Sequence, residues 1–563
     1  MSIASADGIM APRRLRWAIA LAAVAAWLPA RADNMPASPP SSPYVVRHES
    51  WSARDEKDWR DFIAALGESD CDTLDSCLRG PANPYRGSDP PHYVFQSDCA
   101  DLPYVLRFYF AWKRGLPFSF ASAVRSRGET RDIRYSPGGN EVVSRLDVPS
   151  NTMSGTAILE KIRDAVSSAT YRIHPDRDVP YPPDLYSPRI DPASIGPGTA
   201  IYDPAGHVGI VYRVEPNGRV HFFDAHTDFS LTAMTYDLRF ARAPPSVGAG
   251  FKNWRPLRLV GATRRADGIL VGGHVVVAPN KDIADFSDEQ FFGNGARPRD
   301  EDWKSGTFAL GGERLDYYDY VRARLAGGTL LFDPIAEIGD MLRSNCIDLR
   351  YRAQAVERAI AAGIQTRPEP GRLPENIYGA EGEWETYSTP SRDARLKTAF
   401  KALRDTAQRF VEMAARRDGH LSYVGPDLAG TLLSLYDRET ARCRLSYARG
   451  DGTRVTLGYE DVRKRLFAMS FDPYQCVERR WGATEAGELA TCLDDSTKRA
   501  WYDAERNLRN QIERTYEARM DFTREELETP GPGKGAALPP DTDTRAYLAG
   551  AGHDAQPAAD NAP

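Results

Sequence analysis

The sequence predicts an α+β protein: a helix with a cysteine at its N-terminus packed on an antiparallel sheet, followed by a mainly helical C-terminal region. Three observations predict it. Apolar residues recur at Leu102, Val105, Leu106, Tyr109, Phe110 and Trp112, one broad face of a 3.6-residue period directly after Cys99. Two strand-like runs, residues 207–214 and 219–226, flank the turn Glu215-Pro216-Asn217-Gly218. Farther on, residues 333–362, 391–417 and 496–528 are long helical patterns with Arg and Glu interleaved on the polar face.

At the N-terminus, Arg13, Arg14 and Arg16 precede an apolar run over residues 17–28 and the small-x-small triplet Ala30-Arg31-Ala32. This order of basic, apolar and small residues is that of a secretory signal peptide, residues 1–32, cleaved before Asp33. The expected location is periplasmic or secreted. After this segment no apolar run of the length a spanning helix needs recurs, so no integral membrane span is expected in the mature chain. A net charge of −6 over 563 residues is nearly neutral and argues against a nucleic-acid partner.

Residues 33–43, rich in Pro and Ser, read as a linker. Residues 44–250 form the first expected domain. Within it, residues 51–66 are helical, 71–91 loop-like, and the helix after Cys99 ends at Gly115 ahead of Pro117. A further helix is expected over 155–168. The proline-dense stretch 175–192 reads as an insertion bordering a site. Residues 251–330 form a small β-containing connecting region, and 331–528 a helical domain that opens with Asp333 as N-cap ahead of Pro334. Its interleaved charges read as a solvated face, and any protein partner of this region stays unknown. Residues 529–563, rich in Pro, Gly, Ala and Asp, are expected to be a disordered tail.

Seven cysteines in an exported chain leave one unpaired. Cys71 with Cys77 and Cys476 with Cys492 are spaced for local bridges, and Cys346 with Cys443 for a longer one. Cys99 is then the free thiol. Cys346, in Ser344-Asn345-Cys346, echoes the Cys99 context but has no strand histidine after it, since His420 stands alone, so it reads as a half-cystine. His274 has no acidic strand following it and reads as structural.

A thiol becomes a nucleophile near neutral pH when a helix N-terminus and an imidazole favour its ionised form. Cys99 lies where a helix starts, after the extended approach Phe95-Gln96-Ser97-Asp98. His207 opens a strand, and Asp224 and His226 lie on the return strand. Pro216 has no amide to donate to a ladder, which favours a four-residue loop from Glu215 to Gly218. Alternation then puts His207, Asp224 and His226 on one face and Val208, Ile210 and Val214 on the other, whereas a three-residue loop would bring His221 to the first face. Cys99 as nucleophile, His207 as base and acid, and Asp224 as the group that orients His207 fill the roles of thiol acyl transfer. Such chemistry requires no cofactor and no metal, and the usual zinc and nucleotide spacings do not occur.

The segment Ser97-Asp98-Cys99-Ala100-Asp101-Leu102, with Gly196-Pro197-Gly198-Thr199-Ala200-Ile201-Tyr202 and Gly206-His207-Val208-Gly209-Ile210-Val211, resembles the NlpC-type cell-wall peptidases of the papain-like superfamily. The resemblance implies a papain-like fold for residues 44–250 and a cysteine endopeptidase or amidase acting on peptidoglycan stem peptides. Phe222-Phe223-Asp224-Ala225 matches the strand that carries the orienting residue. A tyrosine that helps polarise the carbonyl would correspond to Tyr85 or Tyr93, and Gln96 and His226 are further supporting candidates. The chain departs from the family's pattern at Ala100-Asp101 and at Thr199. The block from Asp98 to Pro117 is also similar to transglutaminase-like proteins, which implies acyl transfer as an alternative. A catalytically inactive periplasmic binding or scaffold protein is the other.

Overall fold

The structure, a computed structural model, describes residues 42–176, 181–227, 229–238, 240, 242–378, 382–387, 389–513, 518–529 and 531–554. The expected signal peptide lies outside the described residues, as does the expected linker apart from Ser42 and Pro43.

Aromatic side chains organise the first half. Helix α1 (Ala53–Gly67) starts at Ser52, whose hydroxyl accepts from the Asp55 amide while the Asp55 carboxylate accepts from the Ser52 amide. It buries Trp59, Phe62, Ile63 and Leu66. Helix α2 (Leu102–Arg114) is buried almost all round, because it lies in the middle of the core, and ends at Gly115 in the left-handed conformation. Its buried Arg107 binds Glu56 at 2.6 Å and lies 3.4 Å from the Trp51 ring, so the desolvated charge is matched. Strands β1 (Ser119–Ser126) and β2 (Asn140–Asp147) form a separate ribbon, followed by helix α3 (Gly155–Ala165).

The main sheet has six antiparallel strands: β3 (Leu185–Tyr186), β4 (Ala200–Tyr202), β5 (Val208–Val214), β6 (Val220–Ala225), β7 (Leu231–Thr235) and β8 (Gly250–Trp254), in the order β3-β8-β4-β5-β6-β7. Val208, Ile210, Tyr212 and Phe223 pack on one face with α1 and α2. Ile201, Val211, Phe222 and Phe251 pack on the other with Tyr320, Val321 and Leu325 of helix α4 (Tyr317–Leu325). The chain is therefore of mixed helix and antiparallel sheet.

The hairpin reaches its expected face by an unexpected route. Val214 pairs with Val220 and the Glu215 amide donates to the Arg219 carbonyl, so the loop is Pro216-Asn217-Gly218, odd in length. A β-bulge at Tyr212, between the Val211–Phe222 and Arg213–His221 pairs, adds one residue to β5 and reverses the parity again. His207, Asp224 and His226 thus share a face, while Val214, beyond the bulge, joins Val211 rather than Val208 and Ile210.

Helices α5 (Pro334–Ala361), α6 (Thr389–Ala415) and α7 (Leu428–Ala441) enclose a second core of Leu342, Leu349, Phe400, Leu403, Leu432 and Tyr436. Asp333 caps α5, accepting from the Ile335 and Ala336 amides. Disulfides join Cys71 to Cys77, Cys346 to Cys443 and Cys476 to Cys492, the pairs expected from spacing, and Cys99 is free. Among the described residues no helix is long and apolar enough to cross a membrane.

Four expectations are corrected. The boundary at 250/251 cuts β8, an interior strand of the main sheet. The helical pattern 496–528 is broken into Ser496–Ala504, Arg506–Asn510 and Arg524–Glu528, because Gln511 turns extended and Thr523 caps a new start. Among its described residues the tail is not wholly disordered: helix α8 (Thr544–Asp554) buries Leu548 fully in the second core. The stretch 175–192 supplies the edge strand β3, and none of its described residues lines the cleft below.

Candidate active site

The turn that carries Cys99 is held from both sides. Asp98 accepts from the Ala100 and Asp101 amides at 2.8 and 3.2 Å, its own amide donates to the Asp101 carboxyl, and its carbonyl accepts from the Leu102 amide that opens α2. The buried Tyr171 hydroxyl donates to the Ala100 carbonyl at 2.7 Å. Cys99 therefore lies just ahead of the helix, half-buried, with the Val208 amide directed at its sulfur.

His207 sits at the mouth of β5. The turn Asp203-Pro204-Ala205-Gly206 brings it there, closed by the Asp203 amide donating to the His207 carbonyl at 2.8 Å. Gly206 has a φ of +89°, and a Cβ on it would stand 3.1 Å from the Tyr135 ring. The His207 ring binds Asp224 through Nε2, which leaves Nδ1 as the nitrogen that can take a proton.

Asp224 is fully buried on β6, and its second oxygen accepts from the Thr232 hydroxyl of β7 at 2.6 Å. That hydroxyl has one proton, so His226 Nε2, 2.9 Å away, must donate to it. Burial pushes His226 down to about 4 against the pull of Asp224, so the ring is neutral at neutral pH. Burial opposes ionisation of Asp224, yet the neighbouring His226, His207 and Arg395 hold its carboxyl well below the usual carboxylate range.

Cys99 and His207 face one cleft of about 220 Å3. No hydrogen bond joins the two side chains among the described residues. The cleft's other wall comes from the helical region: Asp348 and Tyr351 of α5, and Arg392 and Arg395 of α6. The Tyr351 ring lies 4.2 Å from that of His226. Tyr135, stacked on Tyr378 at 4.9 Å, lines the cleft beside Gly206.

Several expected supports lie elsewhere. Tyr85 packs edge-on to Phe62 and Phe110, the Tyr93 hydroxyl donates to Glu160, and neither lines the cleft. Gln96 does not line it either. His226 does, through the Thr232 bridge to Asp224. The helical wall was missed, although the sequence holds one sign of it. Arg392 and Arg395 are three apart on α6, and neither has an acidic residue three or four positions away to pair with.

The thiol itself departs from expectation. Burial pushes Cys99 up, the Asp98 and Asp224 charges add to this, and the Val208 amide and Arg395 oppose it without prevailing. Burial is the largest cause, and in the turn ahead of the helix the Ala100 and Asp101 amides bond Asp98 and not the sulfur. Asp101, buried next to Asp98, is likewise pushed up to about 9 and stays protonated at neutral pH. A protonated thiol, a proton acceptor with an oriented tautomer, and a walled cleft can together carry acyl transfer.

Comparison of the chain with protein-family models, with curated proteins and with solved structures found no match in any of the three.

Proposed function

We propose that the chain is an exported cysteine hydrolase of papain-like architecture that cleaves an amide bond, with peptidoglycan stem peptides as its substrate class. One observation carries the reading: the only free cysteine and a His207–Asp224 pair open onto the same cleft. The substrate class rests on the resemblance of the Cys99 and His207 segments to NlpC-type peptidases. Three disulfides support an oxidising compartment such as the periplasm.

The held-up thiol sets the order of events. Cys99 Sγ attacks the amide carbonyl as its proton passes to His207 Nδ1, so no thiolate rests in the free protein. Asp224 stabilises the imidazolium that forms. The Ala100 and Asp101 amides are engaged by Asp98, so of the three backbone amides in this turn that of Cys99 is left for the oxyanion. The carbon–nitrogen bond then breaks as His207 returns the proton to the leaving amine. Water hydrolyses the thioester by the reverse relay, restoring the thiol.

A second reading, a binding protein without turnover, is favoured by that same raised thiol. The test is Cys99→Ala on cell-wall fragments, scored by released amines. The wild type should release them and the variant should not, with the melting temperature within about 2 °C. Equal release by both defeats the hydrolase. No release by either, with Cys99 inert to iodoacetamide even at high pH, removes the hydrolase and favours the binding protein.

A further inference from the structure

We infer that the helical wall of the cleft holds a carboxylate-binding subsite anchored by Arg395, so that the substrate presents a free carboxylate close to the amide that reacts. The inference rests on the hydrolase reading for the meaning of "reacts", and on separate observations for the subsite.

Three guanidinium groups line the cleft, and two are committed. Arg134 binds Asp132 at 2.7 Å and Glu385 at 2.5 Å. Arg392 donates to the Tyr351 hydroxyl at 2.9 Å and lies 4.2 Å from that ring. Arg395 makes no hydrogen bond and no ion pair among the described residues, although it is half-buried on α6. Its charge reaches Cys99, Asp224 and His226.

A guanidinium carries five donors and no acceptor, and part of its hydration is lost in a cleft. Leaving it without a partner costs free energy that an incoming anion recovers. The planar fork matches a carboxylate in two parallel bonds. A phosphate dianion fits less well, because Asp98 and Asp348 line the same cleft and repel two charges about twice as strongly as one. The placement divides the labour of the cleft: the sheet side supplies thiol and imidazole, and the helical side supplies the charge that sets the register of the peptide.

The probe is a fluorescently labelled stem tetrapeptide, with one analogue amidated at the C-terminal carboxylate and another at the side-chain carboxylate. Binding to full-length Cys99→Ala protein is read by anisotropy, with inorganic phosphate as competitor. One of the two amidations should weaken binding about 10-fold to 100-fold, the range for a charge-assisted pair, and which one does so identifies the carboxylate. Adding Arg395→Gln should bring the ratio between free and amidated probes close to one, and Arg395→Lys should keep part of it. Equal binding of all three probes, a ratio that survives Arg395→Gln, or displacement by phosphate at low millimolar concentration overturns the inference. If Arg395→Gln fails to fold, the Lys variant decides: an undiminished ratio overturns the anchor, and a reduced one supports it. Failure of the hydrolase reading shows separately. Carboxylate discrimination without turnover by the wild type removes the hydrolase and keeps the subsite, whereas turnover without discrimination does the reverse.

Discussion

The two walls of the cleft hold their polar groups in opposite ways. On the sheet side, His207, Asp224, Thr232 and His226 form one hydrogen-bonded chain across β5, β6 and β7, in which each ring has a defined tautomer. On the helical side, Arg392 leans on Tyr351, while Arg395 reaches the cleft with no hydrogen bond or ion pair among the described residues. A group that must pass a proton in a fixed direction gains from being over-determined by its neighbours. A group that must meet a ligand gains from being left unmatched. The contrast therefore separates reaction from recognition, and it can be broken at either wall.

The largest expected effect lies at Asp224. Asp224→Ala frees the His207 ring to rotate and leaves the Thr232 hydroxyl without its acceptor. Release of amines from cell-wall fragments, measured as kcat/KM, should fall about 1,000-fold to 10,000-fold, the range for losing the orienting acid of a triad. A fall of less than tenfold would place the reacting groups elsewhere.

The next effect contrasts the regions through their disulfides. Cys346–Cys443 joins residues 97 apart, and Cys71–Cys77 residues 6 apart. Loop-closure entropy makes the first worth about 4 to 5 kcal/mol and the second about 2 kcal/mol. Urea unfolding of the two double-alanine variants should show that order. Equal losses would mean that the helical wall is held by its packing of Leu349, Phe400 and Leu432 and owes little to the cross-link.

How far the sequence carried these walls follows from the range of the contacts. The His207 strand, its return strand and the helix after Cys99 are set by periodicity and turn residues within short windows, and all three are in place. The shared face of His207 and Asp224 was right for an incomplete reason. Pro216 pointed to an even loop, and the bulge at Tyr212, which no turn residue announces, compensated the odd one. The raised thiol was not legible, because it depends first on how deeply the folded chain buries Cys99, which no short window of sequence shows. The helical wall, beyond the unpaired spacing of Arg392 and Arg395, was hidden for a plainer reason. Arg395 meets Cys99 across nearly 300 residues of chain, and within α6 it reads as one more charge on a solvated face. Leu548 was hidden similarly: composition spoke for a tail, while a single buried leucine helps dock α8 on α6 and α7.

The smallest effect joins the walls, because the His226 ring faces Tyr351 of α5 while its Nε2 bonds Thr232. In the folded protein His226 stays neutral down to about 4, whereas an unfolded histidine takes up a proton near 6.5. Between these values the unfolded chain binds the additional proton, so stability rises with pH. The contribution is complete above 6.5 and is lost as the pH falls to 4, on the order of 3 kcal/mol over the window. His226→Gln keeps an N–H for Thr232 but cannot take that proton. Its unfolding free energy in urea should therefore fall less than that of the wild type between pH 7 and pH 4. Parallel curves would mean that His226 takes up its proton alike in the folded and unfolded states, and the neutral ring against Tyr351 at pH 4 to 6.5 would be wrong.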